Sequence, residues 1–293
     1  MKTTLRLTIV LLAAVVTAFF TACTEDENMG NENEKGTISM LLTDAPFPGD
    51  QVAEANIVID RIEIRKDKDP EVGDTAEFFL VSEELQEFNL LDLRNGITSQ
   101  IGEAELEAGI YDQIRLHIVE ANIVLNDEEN TVFDLKIPSG TSSGLKINIV
   151  NGLEVTGGST NTLILDFDVS KSFVVQGNAK AAKGIKGFIF KPVIRATVDD
   201  LAGAIDGIVA TGEANTALPN VPVEILQDTT VVSTAITDEK GYYAVIGLLP
   251  GQYWIRIDAE GYQLFELDGV LVEEKETTMV DIHLLPLPPA TTE

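Results

Sequence analysis

The chain has 293 residues, with 48 Asp and Glu against 20 Lys and Arg, a formal net charge of −28 at pH 7. Proteins bind a phosphate backbone by neutralising it with Lys and Arg, so this balance excludes nucleic acid as a partner. Hydrophobic residues make up 44% of the sequence, enough to build packed cores, which excludes global disorder.

Residues 1–22 open with Lys2 and Arg6 and continue as an apolar run from Leu7 to Phe20. As a helix that run reaches about 21 Å, too short for a ~30 Å hydrocarbon core. It suits the apolar stretch of a signal peptide. Thr21 and Ala22 then lead into Cys23, the sole cysteine. The arrangement resembles a bacterial lipobox, with Phe20 standing where that pattern prefers Leu. The resemblance implies that Cys23 is acylated (palmitate-type chains) and becomes the new N-terminus. It also removes the problem of a lone thiol in an oxidising compartment.

Glu25, Asp26 and Glu27 follow at once. They resemble the surface-export signal of lipoproteins from Bacteroides-like bacteria, which implies an outer-membrane protein, lipid-anchored and facing the exterior. So acidic a chain is expected to touch the bilayer only through that anchor. Residues 23–36 hold little that is apolar and read as a disordered acidic tether.

From residue 37 onward, short alternating runs predict strands at 37–42, 55–66, 77–81, 113–125, 132–137, 145–149, 162–169 and 188–198. In 55–66, Ile57 and Ile59 and then Ile62 and Ile64 point inward, with a phase slip that predicts a bulge. Only 99–107 has helical flavour. After a short join at 199–202, further strands are predicted at 204–210, 221–227, 230–237, 242–246, 253–259 and 278–284. The pattern predicts an all-β chain of two tandem β-sandwiches, at 37–198 and 203–285. The Pro-rich tail 286–293 is expected to be extended.

The second unit carries Gly203, Gly207, Pro219-Asn220-Val221, Asp238…Gly241-Tyr242-Tyr243, Pro250-Gly251 and Gly261-Tyr262. These residues resemble the carboxypeptidase regulatory-like domain, a transthyretin-type, Ig-like sandwich. The resemblance implies a non-catalytic spacer, assembly module or carbohydrate-binding-like fold. Asn220 stands where that family uses Gly, and Asn best tolerates the left-handed conformation. Gly251 is expected to supply the left-handed residue of its turn.

The first unit carries Leu42-Thr43-Asp44-Ala45-Pro46, Leu90-Leu91-Asp92-Leu93-Arg94-Asn95-Gly96, Asp166-Phe167-Asp168 and Lys191-Pro192-Val193-Ile194-Arg195. It resembles a bacterial lipoprotein domain family of unknown function, which implies a setting but no activity.

His117 and His283 fall in different units, so neither unit can build a histidine-rich metal site. No phosphate-binding glycine loop is present. Asp166 and Asp168 alternate with Leu165, Phe167 and Val169, so both carboxylates leave one face of a strand ~7 Å apart. With Asp44 they are candidate calcium ligands; as a pair they approach glycosidase spacing. The alternative pairs them with Lys146, Lys191 or Arg195, or has them cap the turn at 170–172.

Trp254 shares an outer strand face with Arg256. If 247–251 closes a hairpin, Trp254 lies diagonal to Tyr242. Trp254, Tyr242 and Arg256 are therefore candidate ligand-binding residues for a sugar ring, or part of a protein interface. The expected function is a non-catalytic surface lipoprotein that binds carbohydrate or another surface component. The alternative is an adhesion or assembly module, with a glycoside-active enzyme as a remote third reading. No cofactor is expected apart from the candidate calcium.

Overall fold

The computed structural model describes residues 35–45, 51–67, 77–138, 143–178 and 184–288, and there the backbone is overwhelmingly strand. Cys23, the leader and the acidic tether through residue 34 lie outside the described residues. Among the described residues, no helix is long and apolar enough to cross a membrane.

The first region supplies β1 (Gly36–Ala45), β2 (Val52–Lys66), β3 (Phe78–Ser82), β4 (Gln86–Asn89), β5 (Ser99–Leu106) and β6 (Gly109–Leu125). It continues with β7 (Val132–Asp134), β8 (Leu145–Val155), β9 (Thr160–Asp168), β10 (Phe173–Gly177), β11 (Ile185–Phe190) and β12 (Ile194–Val198). Two layers result. One runs β3-β2-β6-β8, with β4 on β2 and β7 on β6; the other runs β12-β9-β1-β5. Their ladders join between β12 and β8 at a single pair, Ala196 opposite Ile149. At the far edge β5 returns against β3, where a methyl on Gly102 would sit 2.8 Å from Cγ1 of Val81. The layers thus form a sandwich whose two edges both come together.

Ile57, Ile59, Ile62 and Ile64 of β2 are fully buried between the layers. The predicted phase slip is a register shift against β6 between Ile59 and Arg61. β10 pairs only with β11. Their Phe173 and Phe190 pack on Phe167 of β9, with ring centroids 5.0–6.2 Å apart.

The second region supplies β13 (Gly203–Thr211), β14 (Thr216–Ala217), β15 (Pro222–Gln227), β16 (Thr230–Ile236), β17 (Tyr242–Leu248), β18 (Gly251–Ile257), β19 (Phe265–Val272), β20 (Thr277–Met279) and β21 (Ile282–Leu284). β13 is paired with β14 and β17, and in parallel with β20 and β21. The facing sheet runs β16-β15-β18-β19. Ile205, Val223, Tyr243, Ile255 and Ile257 fill the space between them. The two tandem sandwiches therefore have separate hydrophobic cores.

Four sequence expectations are corrected. Of the run 99–107, residues 99–106 form strand β5 rather than helix, because pairing along β1 overrides a helix-forming composition. The run 188–198 breaks into β11 and β12 at Lys191–Val193, since Pro192 has no N–H to donate to a ladder. The run 278–284 splits into β20 and β21, with Val280 N bonded to Asp206 O at the break. The left-handed residue ahead of the turn from β17 to β18 is Gly247 (φ 71°), near the end of β17, whereas Gly251 is close to extended (φ 158°). Asn220 is left-handed as expected, at φ 58°.

Candidate binding site between the two sandwiches

The outer face of β12-β9-β1 is covered by the second sandwich. A methyl on Gly247 of β17 would sit 3.4 Å from Cγ2 of Ile164 on β9. Lys171 Nζ, in the helical turn after β9, donates to Val231 O on β16 at 3.1 Å. Thr43, Asp44 and Asp166 line one small cavity together with Ser233, Thr234, Ala244 and Ile246.

This docking explains the acidic trio. Register sets Thr43 beside Asp166 and Ala45 beside Asp168 on parallel strands. Asp166 projects from the face opposite Leu165 and Phe167, as alternation predicts, and is buried by the second sandwich. Arg195 on the neighbouring β12 neutralises it, Nη2 to Oδ2 2.8 Å. Asp168 caps the helical turn Val169–Ser172: Oδ1 accepts from Lys171 N at 3.0 Å and from Ser170 Oγ at 2.6 Å. Its Oδ2 is 2.7 Å from Lys171 Nζ.

Asp44, 6% exposed, accepts from Val169 N through Oδ1 at 3.3 Å, and Oδ2 has no partner among the described residues. Burial, with Asp166 next in weight, pushes the Asp44 carboxyl well above the usual range. Burial also raises Asp166, against the pull of Arg195. The three candidate calcium ligands are therefore already committed or sealed. Among the described residues no cluster of three His, Cys, Asp or Glu side chains is arranged to hold a metal.

A larger cleft opens beside this cavity, with a volume of about 640 Å³. Asp92, Arg94 and Asn95 line it from the first sandwich, and Asn220, Asp238 and Tyr242 from the second. Asp238 shapes its own wall: Oδ1 accepts from Lys240 N and Tyr242 N at 2.8 and 2.9 Å, fixing the tight turn that ends at left-handed Gly241. Tyr242 is half-buried, with its hydroxyl 3.3 Å from Asp206 Oδ2. Burial and the Asp206 charge hold that phenol protonated. Asn95, left-handed at φ 56°, reaches across: Nδ2 donates to Ile236 O at 3.0 Å and Oδ1 accepts from Ala244 N at 3.4 Å. Sequence reasoning missed Asn95 and Arg94 as site residues. Asn95-Gly96 signals a turn, but nothing in it says what the amide will meet.

The expected aromatic pair does not form. β17 pairs with β13 while β18 pairs with β15 and β19, so the 247–251 connection crosses between layers instead of closing a hairpin. Tyr242 and Trp254 consequently belong to opposite sheets. Trp254, 41% exposed, stands on the outer face of β18 opposite Asp268 and Gly269. Two residues against one make a bulge, and Gly269 takes the positive φ it requires (74°). Arg256 is held by Glu224 across the strands, Nε to Oε2 2.7 Å. Leu226 of β15 lies directly opposite Trp254, and Leu271 of β19, 51% exposed, shares that face opposite Gln252.

His117 is buried, with Nε2 3.2 Å from Glu63 Oε2 and Nδ1 3.4 Å from Arg61 Nη2. A methyl on Gly144 would sit 2.9 Å from its Nε2. This is a packed structural histidine. His283 is exposed on β21.

The chain belongs to the family described as Domain of unknown function (DUF4382), whose model matches residues 35–192. Residues 204–285 match the carboxypeptidase regulatory-like domain. No curated protein matches the chain. Similar solved structures include a candidate carbohydrate binding protein from Bacteroides uniformis, at 15% identity and TM-score 0.25. That match covers 28% of this chain and 41% of that one, so the chain spans well under half of that protein. The minor pilin GBS52 of Streptococcus agalactiae is similar over 89% of this chain and 99% of its own, at 14% identity and TM-score 0.26. The shaft pilin SpaA of Lactobacillus rhamnosus GG is similar over 87% and 99%, at 8% identity and TM-score 0.29.

Proposed function

We propose that this chain is a non-catalytic, surface-exposed lipoprotein, anchored through acylated Cys23 at an outer membrane, that binds a carbohydrate in the cleft between its sandwiches. The observation that carries the reading is the lining of that cleft. Arg94, Asp92, Asn220 and Asp238 line it together with Tyr242. A mostly fixed concavity with a few convergent polar groups and an aromatic is what a sugar ring requires. Its volume falls in the usual range for small-ligand sites. The walls are the 3-10 turn and loop at 90–97 and the turns at 219–220 and 237–239, and Asn95 ties one wall to the other, which limits the ordering needed on binding.

A glycan array probed with the mature chain tests this. Saturable binding that Tyr242→Ala and Arg94→Ala abolish supports the reading, and binding that both variants retain overturns the cleft as its site. Protease shaving of intact cells tests the location, and full protection until lysis overturns it. A second reading, an assembly or adhesion module, is favoured by Trp254 and Leu271 exposed together on the outer face of β18-β19. Co-purification with outer-membrane proteins that Trp254→Ala abolishes, without any glycan signal, selects it.

A further inference from the structure

One end of the outer face of β3-β2-β6-β8 gathers Arg61, Arg65, Arg115 and Lys146 in an otherwise acidic chain. Register sets its side chains in rows across the strands. Glu63, Arg115 and Lys146 lie opposite one another on β2, β6 and β8. Arg65, Gln113 and Asn148 form the next row, and Arg61 stands opposite His117 on the other side. Ile62, Ile64, Ile114, Leu116 and Ile147 alternate with them and fill the core, so the rows point outward. The second sandwich docks on the other layer, leaving this face uncovered by it.

The carboxylates within these rows are taken. Asp112 holds Arg65, Oδ1 to Nε 2.8 Å, and Glu63 holds His117. Among the described residues Arg61, Arg115 and Lys146 have no carboxylate partner. Arg115 is braced over the Phe78 ring, 3.5 Å from its centroid. The Nε atoms of Arg61 and Arg115 are both buried without an acceptor. The guanidinium fork fits carboxylate and sulfate in two-pronged geometry. Neighbouring strands lie ~4.8 Å apart, so cations on three consecutive strands line up to meet repeated charges on an extended chain.

We propose that this face binds an acidic polysaccharide, with its carboxylate or sulfate groups docked on Arg61, Arg115 and Lys146. The rest of the chain, including Glu87 and Glu120 beside Val58 on this face, repels a polyanion, which confines the contact to these rows and to short range, within about 8 Å at physiological salt. The site is separate from the cleft and stands whether or not the cleft takes a sugar.

Affinity electrophoresis of the mature chain through gels containing polygalacturonate, dextran sulfate or neutral dextran tests it. Retardation by either polyanion but not by neutral dextran is expected, lost in Arg61→Gln/Arg115→Gln/Lys146→Gln and unchanged in Tyr242→Ala. Lys146→Glu alone, at an exposed position, is expected to bind about tenfold more weakly, the effect of one charge-assisted contact. It also carries the test where the triple variant does not fold. Retardation undiminished in Lys146→Glu overturns the proposal. So does equal retardation by neutral dextran. Binding to phosphatidylglycerol vesicles without retardation by either polyanion assigns the face to a lipid surface and likewise overturns it.

Discussion

The side-chain amide of Asn95, in the first sandwich, donates to the main-chain oxygen of Ile236, in the second, at 3.0 Å. Its carbonyl also accepts from Ala244 N at 3.4 Å, so one side chain serves backbone groups on β16 and β17 together. Asn95→Ala leaves both groups without that partner beside the cleft, a cost of about 1 kcal/mol. The amide ties two separate cores, so its loss is expected to weaken their coupling as well as lower the melting temperature. Differential scanning calorimetry should show one transition in the parent chain and a broadened or split one in the variant. An unchanged single transition would remove Asn95 as the tie.

Asp44 makes the seam sensitive to pH. Its folded-state carboxyl is raised, first by burial and then by Asp166, while the unfolded chain titrates near 3.9. Above that value the folded state binds the extra proton, so the contribution is fully present below the unfolded pKa and is lost as pH rises through the folded one. Stability measured by urea unfolding is therefore expected to fall from mildly acidic toward neutral pH. Asp44→Asn should flatten that fall and raise the neutral-pH midpoint, because the amide needs no proton to stay neutral. A variant with the parent's pH profile would show that Asp44 is not the responsible group.

Alternation within a strand was legible in the sequence wherever one face meets a core. Ile57, Ile59, Ile62 and Ile64 read correctly through a bulge because each phase is locally complete. The partner of a strand was less legible. The Gly247–Gly251 connection has the residues of a hairpin, yet it carries the chain from β17 in one layer to β18 in the other. A turn that closes a ladder and one that crosses a core use the same glycines and prolines. That ambiguity placed Trp254 next to Tyr242. Burial of Asp166 and Asp168 was legible as a need for partners, and Arg195 was among those named. That the second sandwich does the burying was not, since no local pattern records what lands on an outer face.

Trp254 and Arg256 offer a check on that revised geometry. Arg256 and Glu224 are each more than a third exposed, so Arg256→Gln should cost no more than ~1 kcal/mol. Trp254→Ala should likewise leave the fold intact, with a loss of about 1 kcal/mol from its half-covered ring. Neither variant should alter a ligand held in the Tyr242 cleft, because the two residues lie on opposite sheets. Loss of cleft binding in Trp254→Ala, with an unchanged melt, would mean that the sheet assignment is at fault.

The Asp166–Arg195 pair decides how the acidic trio is held. Asp166 is nearly fully buried while Arg195 is a quarter exposed. Removing the cation strands a charge that the second sandwich seals from water, and Arg195→Ala is expected to cost ~3 kcal/mol, the low end for breaking a buried pair. Asp166→Asn in the Arg195→Ala background should recover part of that loss, since it removes the stranded charge. The same pairing governs calcium. With Asp166 on Arg195 and Asp168 on Lys171 and the helical turn, an incoming cation must displace two ion pairs and open the seam. The melting temperature of the parent chain is therefore expected to be the same in calcium and in chelator. In Arg195→Ala, where Asp166 is released, calcium should restore part of the lost stability. A calcium-dependent rise in the parent's melting temperature would show instead that the carboxylates prefer the metal to their side-chain partners.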